Sequence, residues 1–196
     1  MTTIAIVTGS VRQGRQSLTV ANWVKSIADR RGDAEFEVVD IAEFALPLWD
    51  EAVPPAWAPG GSSTQSKAWS ARMDEFDGYV FVVSEYNHSI TGALKNAFDY
   101  LGPELKDKAA SFVSYGSAGG ARAVEHLRGL LSAQGVAHVR NSVTMSLFTD
   151  FENFSVFTPT EPASAAVEPM LDQLVAWTKA MQAVRAGEFA PVDSAA

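Results

Sequence analysis

Twice in this chain, a short apolar run leads into a polar loop, and a helical pattern begins directly after the loop. Residues 4–7 (Ile-Ala-Ile-Val) precede the polar residues 8–17, and residues 79–83 (Tyr-Val-Phe-Val-Val) precede residues 84–97. Continuous apolar strands are typical of parallel sheets that are covered by helices on both faces. Open α/β sheets bind ligands at the loops that follow the carboxyl ends of such strands. These two loops are therefore the first candidates for a functional site.

The alternation of strand and helix patterns continues along the chain and predicts an α/β fold. The predicted strands are residues 3–8, 36–40, 78–84, 109–115 and 136–145, and the predicted helices are residues 18–31, 65–76, 92–101, 121–134 and 167–185. Because crossovers between parallel strands are right-handed, we expect a doubly wound five-stranded sheet in the order 2-1-3-4-5, with helices on both faces. In that order the first and third strands are neighbours, so the two polar loops lie side by side.

The chain length and the proline distribution indicate how these elements are organised. A chain of 196 residues suits one domain with a sizeable core, which we assign to residues 1–186. Residues 41–64 are rich in proline and include Gly60-Gly61, so we expect a long surface loop there. Residues 187–196 are expected to form a frayed tail.

Composition excludes several classes of function. The net charge of -8 argues against a general nucleic-acid binder, which would carry a basic stripe. Cysteine is absent, which excludes disulfides, thiolate catalysis and cysteine-based metal sites. No signal-peptide pattern and no apolar run near the ~20 residues of a membrane span are found. We therefore expect a cytoplasmic protein without membrane insertion.

The first loop has the chemistry of a phosphate site. Gly9 permits a sharp turn after the strand, Ser10 and Ser17 offer hydroxyl groups, and Arg12 offers a fork of donors. Ser17 is also a candidate N-cap, and the free N–H groups of the turn after it would attract an anion. The alternative is a polar loop that Ser17 caps, with solvated arginines. Neither a Walker sequence nor a dinucleotide-binding glycine pattern is present.

The second and third loops are suited to a planar ring. Glu85, Tyr86, Asn87 and His88 follow the most apolar strand, where backbone N–H groups and the Asn87 amide can face a heterocycle. The third loop, residues 115–120, contains glycines that allow close approach of the backbone to a flat ring. The alternatives are a half-buried core tyrosine for Tyr86, a surface histidine for His88 and a flexible connection for the third loop. Asn96, in the helix after the second loop, is expected to tie loops together.

Taken in order, these motifs resemble those of the NADPH-dependent FMN reductases, which are flavodoxin-like quinone, azo and flavin reductases. The resemblance rests on Gly-Ser-x-Arg after the first strand, Glu-Tyr-Asn with Leu-Lys-Asn-Ala after the third, and Tyr-Gly with Ala-Gly-Gly-x-Arg after the fourth. It covers residues 3–145. Two positions depart from the family pattern, because Ser84 stands where proline is frequent and His88 stands where glycine is common.

The resemblance implies a flavodoxin-like fold, non-covalently bound FMN and a homodimer or homotetramer. It places the FMN phosphate at Ser10, Arg12, Ser17 and Leu18, with Arg15 and Gln16 nearby. It places the isoalloxazine and ribityl contacts at Glu85, Tyr86, Asn87 and His88, with Tyr115, Gly116 and Ser117 on the other side.

The reaction that the resemblance implies is transfer of a hydride from NADPH or NADH to FMN, and then transfer of electrons to a quinone, flavin, azo or similar acceptor. In such enzymes the flavin performs the chemistry and the protein supplies position and hydrogen bonds, so no catalytic residue and no metal ligand is assigned. Two alternatives stay open. One is a flavodoxin-type electron carrier, and the other is a non-catalytic flavin-binding sensor.

Overall fold

The computed structural model describes residues 1–189, and its centre is a five-stranded parallel sheet in the order β2-β1-β3-β4-β5. The strands of this sheet are β1 (Thr3–Thr8), β2 (Glu35–Val39), β3 (Gly78–Ser84), β4 (Ala109–Gly116) and β5 (Ala137–Ser146). The helices are α1 (Ser17–Ala28), α2 (Thr64–Asp74), α3 (Gly92–Asp99), α4 (Ala121–Ala133), α5 (Glu161–Ala165) and α6 (Val167–Arg185). The predicted fold class and strand order are confirmed.

The sheet is sandwiched between two apolar layers, as a doubly wound fold requires. One layer contains the side chains of α2, α3 and α4 around Trp69, Phe81 and Phe112. The other contains those of α1 and α6 around Val24, Val113 and Leu171. Every residue of β3 and β4 is buried, which explains why their sequences are nearly continuous in apolar residues.

Besides a 3-10 turn at Pro103–Leu105, the structure contains three features that the strand and helix patterns did not predict. A turn of 3-10 helix (Ile41–Phe44) follows β2, and a small antiparallel hairpin of β6 (Phe151–Glu152) and β7 (Val156–Phe157) follows β5. The third is the short helix α5. All three are too short to produce a periodic sequence signal.

The proline-rich segment after the 3-10 turn is tethered to α3 by Asn96. The Asn96 side chain accepts a hydrogen bond from the Trp49 N–H at 2.9 Å and donates one to the Pro47 carbonyl at 2.7 Å. Asn96 therefore ties this one loop to a helix, and not one loop to another as expected from the sequence.

The end of the described chain stays bonded to α6. The Gly187 N–H donates to the Val184 carbonyl and the Glu188 N–H donates to the Ala183 carbonyl. The rest of the expected tail, residues 190–196, lies outside the described residues. No helix within residues 1–189 is both long enough and apolar enough to cross a membrane.

Candidate functional site

The first and second loops meet at the carboxyl edge of the sheet, where β1 and β3 are neighbours. Tyr86 of the second loop joins them, because its hydroxyl lies 3.2 Å from Ser10 Oγ and accepts a hydrogen bond from Arg12 Nε at 2.9 Å. The structure thus brings together the residues assigned to a phosphate and those assigned to a ring. The expectation that the loops lie side by side is confirmed.

Two further contacts fix the relative position of these loops. A side chain at Gly9 would place its Cβ 2.4 Å from the Val82 carbonyl oxygen, so only glycine fits where the first loop crosses β3. Thr91 caps α3 by accepting from the Leu94 N–H at 3.0 Å, and its hydroxyl donates to the Gly9 carbonyl at 2.6 Å. Thr91 was not predicted from the sequence, although a threonine directly before a helical pattern is a cap signal.

The first loop presents hydrogen-bond donors around the start of α1. Ser10 and Ser17 are buried, Leu18 is half-buried, and Arg12 is exposed. The expected cap at Ser17 is wrong, because the helix begins at Ser17 itself and its hydroxyl donates to the Ser10 carbonyl at 3.5 Å. The first helical hydrogen bond runs from the Val20 N–H to the Gln16 carbonyl, so the preceding N–H groups have no acceptor within the helix.

The two arginines of the first loop have different partners. Arg15 is paired with Asp40, a buried residue directly after β2. The Asp40 carboxylate also accepts from the Thr8 hydroxyl at 2.8 Å and the Ala42 N–H at 3.1 Å. Burial acts to raise the pKa of Asp40, but these donors together lower it below its ordinary value. Within residues 1–189, Arg12 forms no ion pair. The positive charge of Arg12 is therefore available to a phosphate, whereas that of Arg15 is already balanced by Asp40.

The second loop turns back on itself at Asn87 and His88. Tyr86 and Ser89 exchange backbone hydrogen bonds of 2.9 and 3.0 Å around them, and the φ angles of Asn87 and His88 are +48° and +73°. Positive φ at both central positions is the requirement of a type I′ turn, for which Asn-Gly is the favoured sequence. Histidine at the second position therefore carries backbone strain, because a left-handed conformation is costly for a residue with a Cβ atom.

Because of this strain, His88→Gly is expected to raise the free energy of unfolding by about 0.5–1 kcal/mol. Relief of a left-handed conformation gains about 1–2 kcal/mol, and the larger entropy loss of glycine on folding removes about 0.5–1 kcal/mol of that gain. Urea unfolding measures the difference. His88→Ala is the matched control, since it removes the imidazole and keeps the strain. An equal gain in both variants would contradict the explanation.

A buried carboxylate lies between the second and third loops. The Glu85 side chain is only 4% exposed, and its Oε1 accepts hydrogen bonds from Nε (2.7 Å) and Nη2 of Arg122 at the start of α4. Its Oε2 is buried and has no hydrogen-bond partner among residues 1–189. A Cβ on Gly116 would lie 3.0 Å from Glu85 Cβ, so the two loops are in close contact. A buried acceptor without a donor suits the N–H edge of a bound heterocycle.

The third loop places its assigned residues in different environments. Ser117 is exposed, and Gly116 is buried. Tyr115 is directed into the apolar layer of α1 and α6, where its ring packs on Phe151 at a centroid distance of 5.5 Å. The loop reaches α4 through Gly120, where a Cβ would lie 2.7 Å from Ser114 Cβ.

Comparison with known proteins identifies relatives. The family described as NADPH-dependent FMN reductase matches residues 2–150. An NAD(P)H-dependent FMN reductase of a Nectria species is 42% identical over 128 residues, which are 63% of this chain and 64% of that protein. An NAD(P)H-dependent FMN reductase of Schizosaccharomyces pombe is 30% identical over 95% of this chain and 88% of its own length. The chain thus spans just under two thirds of the first relative and most of the second.

Solved structures agree on the fold. FerB, a flavoenzyme NAD(P)H:(acceptor) oxidoreductase from Paracoccus denitrificans, superposes with a TM-score of 0.70 at 21% identity, over 92% of this chain and 99% of that one. At this identity the likeness concerns the fold alone. The family match, by contrast, covers the five strands of the parallel sheet and all three loops of the site. The chain belongs to the NADPH-dependent FMN reductase family.

Proposed function

We propose that this protein is an FMN-dependent oxidoreductase that takes a hydride from NADPH or NADH and passes the electrons to a quinone, flavin, azo or similar small acceptor. The observation that carries the proposal is the contact of Tyr86 with Ser10 and Arg12. This contact joins a loop that offers hydrogen-bond donors to a phosphate with a loop that is suited to a planar ring. The names of the relatives from Nectria and Schizosaccharomyces pombe support the same activity.

The residues present fit FMN at its phosphate end. A phosphate monoester only accepts hydrogen bonds and carries negative charge, so it needs donors and a cation. Arg12 supplies a guanidinium without a carboxylate partner, and the start of α1 supplies N–H groups that lack acceptors in the helix. In this proposal the phosphate is held by Ser10, Arg12, Ser17 and Leu18, with Arg15 and Gln16 completing the loop.

The residues at the other end of the proposed site fit the isoalloxazine ring of FMN. Glu85 Oε2 is a buried acceptor that receives no hydrogen bond from the described part of the chain, and an isoalloxazine offers an imide N–H. In this proposal the ring and ribityl chain contact Glu85, Tyr86, Asn87 and His88 on one side and Tyr115, Gly116 and Ser117 on the other.

When bound, FMN supplies hydride acceptance and electron donation, and the polypeptide supplies binding and orientation. Arg12 neutralises the phosphate, the turn at Asn87 and His88 presents backbone groups, and the pair of Glu85 and Arg122 fixes the distance between the second and third loops. No side chain is assigned to proton transfer.

We also propose that the protein is a homodimer or homotetramer. Leu48 and Trp57, on the tethered loop before α2, are 83% and 81% exposed, and large exposed apolar side chains favour burial against another surface. Sedimentation equilibrium is expected to give the mass of two or four chains. A monomer at micromolar concentration would contradict this proposal.

The test of the proposed activity is the visible spectrum of the protein with FMN, before and after anaerobic NADPH, followed by turnover with a quinone. Bleaching by NADPH together with sustained quinone turnover is expected. A flavodoxin-type carrier would turn over poorly with these two reactants, and a sensor would bind FMN tightly with negligible turnover on every acceptor. A protein that takes up no FMN would refute all three functions.

A further inference from the structure

A cleft of about 540 Å³ lies beside the third loop, along the edge strand β5. Its walls are residues 117–119 of that loop, the end of β5 and the segment that leads into α5. The lining residues that carry a hydroxyl group are Ser117, Ser142, Thr144, Ser146, Thr149 and Thr160. Small-molecule sites in proteins usually measure about 300–1,000 Å³, so the volume of this cleft is that of a ligand site.

The hydroxyl groups of the cleft are able both to donate and to accept hydrogen bonds. Among the hydrogen bonds within residues 1–189, none involves the hydroxyl of Ser142 or Thr144. The hydroxyls of Thr149 and Thr160 donate to the Asp150 carboxylate at 2.8 and 2.7 Å, which leaves their oxygen atoms as acceptors. Such a set of groups suits a ligand that is itself rich in hydroxyl groups, such as the ribose of a nucleoside.

The electrostatics of the cleft favour an uncharged ribose over a phosphorylated one. Within residues 1–189, its lining includes no lysine and no arginine. Asp150 also lines the cleft, and the donors to its carboxylate are neutral N–H and hydroxyl groups of Ser146, Thr149 and Thr160. These hydrogen bonds hold the pKa of Asp150 below its ordinary value, so the carboxylate is charged at neutral pH. A 2′-phosphate would be repelled by this charge, whereas a 2′,3′-diol would not.

The third loop is a wall that the cleft shares with the proposed ring site. In the proposed function Gly116 and Ser117 contact the isoalloxazine, and Ser117 also lines the cleft. The Gly116 carbonyl accepts from the Leu147 N–H at 3.1 Å. A Cβ on Gly119 would lie 3.2 Å from Thr144 Cβ, so the loop is in contact with β5. A dinucleotide whose nicotinamide lies on the isoalloxazine can therefore extend its adenosine half over this loop into the cleft.

We propose that this cleft binds the adenosine ribose of the pyridine nucleotide, and that the protein consequently prefers NADH to NADPH as its hydride donor. This inference rests on the proposed function, which leaves the choice between the two nucleotides open. NADPH differs from NADH only in the 2′-phosphate, which is the group that the charge of the cleft repels. Thr144 is the position at which the preference can be altered, because it is exposed, lines the cleft and belongs to an edge strand.

The first test compares the steady-state rates with NADH and with NADPH at a fixed quinone concentration. Wild type is expected to have a kcat/KM about tenfold or more higher with NADH, mainly through a lower KM. Thr144→Arg adds a guanidinium that can pair with the 2′-phosphate, so it is expected to raise kcat/KM for NADPH about tenfold and to narrow or reverse the preference. Thr144→Gln is the matched control, because it adds a long polar side chain without a charge, and it is expected to keep the wild-type preference.

The second test measures binding without turnover. Adenosine and adenosine 2′-monophosphate differ only in the 2′-phosphate, and each is titrated into the full chain, with and without FMN, while the backbone amide NMR shifts are recorded. Adenosine is expected to shift the amides of Ser142, Thr144 and Thr160. Adenosine 2′-monophosphate is expected to bind about tenfold more weakly to wild type and more tightly than adenosine to Thr144→Arg.

The outcomes separate this inference from the proposed function. A preference for NADH that Thr144→Arg alters and Thr144→Gln does not supports the inference. Equal use of the two nucleotides, a preference for NADPH, or adenosine shifts confined to residues outside the cleft would each overturn it, and the reductase activity would stand. If neither nucleotide reduces the bound FMN, the proposed function fails and the inference fails with it. Melting temperatures show whether the variants are folded, and the comparisons in wild type decide the matter if they are not.

Discussion

Replacing Arg12 with glutamine is expected to weaken FMN binding by about one to two orders of magnitude. Hydrogen bonds to charged groups contribute about 1.5–3 kcal/mol, and each 1.4 kcal/mol corresponds to about a factor of ten in affinity. Arg12 is expected to contribute more to the free energy of FMN binding than Arg15 does. Within residues 1–189 Arg12 has no carboxylate partner, whereas Arg15 is paired with Asp40. Titration of the flavin-free protein with FMN measures the change.

Three variants show whether the charge of Arg12 is responsible for the expected loss of FMN affinity. Tyr86→Phe removes the hydrogen bond between Arg12 and Tyr86 and keeps the guanidinium, so it is expected to weaken FMN binding less than Arg12→Gln. Arg15→Gln is also expected to weaken FMN binding less than Arg12→Gln, because Arg15 is already paired with Asp40. Arg30→Gln makes the same charge change beyond the end of α1, where Arg30 donates to the Ser26 carbonyl, and is expected to have no effect.

The salt dependence provides a further check on Arg12. Exposed charges are screened beyond about 8 Å at physiological ionic strength, so only a close contact survives the addition of salt. The difference between wild type and Arg12→Gln is therefore expected to shrink with added salt without vanishing. An Arg12→Gln variant with wild-type affinity at low salt would remove Arg12 from the phosphate site.

The fold could be predicted from the sequence because each of its main strands and helices is encoded by a pattern of apolar residues within one short segment. The strand β3 coincides with a continuous apolar run, and α6 coincides with a run in which apolar residues recur at the helical period. The bounds of both elements therefore agree with the predicted ranges. The strand order follows from the handedness of the crossovers, and that order places the first and second loops together.

The partners within the site could not be predicted in the same way. Arg15 and Asp40 are 25 residues apart, Ser84 and Tyr115 are 31 apart, and Glu85 and Arg122 are 37 apart. Each pair depends on the register between neighbouring strands and on the direction of a side chain, which sequence periodicity does not specify. The role of Ser17 was misassigned for a related reason, since its hydroxyl bonds to Ser10 across the loop.

Asp150→Ala is expected to lower the free energy of unfolding by about 2–6 kcal/mol. Asp150 is 3% exposed and closes the segment after β5. Its carboxylate accepts four hydrogen bonds, from the Ser146 N–H (2.9 Å), the Thr149 hydroxyl (2.8 Å), the Thr160 N–H (3.0 Å) and the Thr160 hydroxyl (2.7 Å). Removing the acceptor leaves two backbone donors without partners, at about 1–3 kcal/mol each.

Glu152→Gln is the control, because Glu152 is an exposed acidic residue of the same hairpin and its change alters the charge alone. Its effect on urea unfolding is expected to stay within about 0.5 kcal/mol. Asp150→Asn, which keeps the volume and presents an amide to the four donors, is expected to fall between alanine and wild type. If Asp150→Ala unfolds at the wild-type urea concentration, the segment is held by its apolar contacts instead.

The difference in unfolding free energy between wild type and Asp150→Asn depends on pH through the protonation of Asp150. Burial acts to raise the pKa of Asp150, but the hydrogen bonds from Thr160, Thr149 and Ser146 together outweigh it and lower the pKa below its ordinary value of 3.8. A carboxyl group with a lower pKa in the folded state stabilises that state fully above its unfolded pKa, and the contribution is lost as the pH falls through the folded value. The stability difference between wild type and Asp150→Asn is therefore expected to be constant near neutral pH and to decrease below about pH 4. A difference that stays constant down to pH 2 would show that the charge of Asp150 does not contribute, and that the shape of its hydrogen-bonding group accounts for the whole effect.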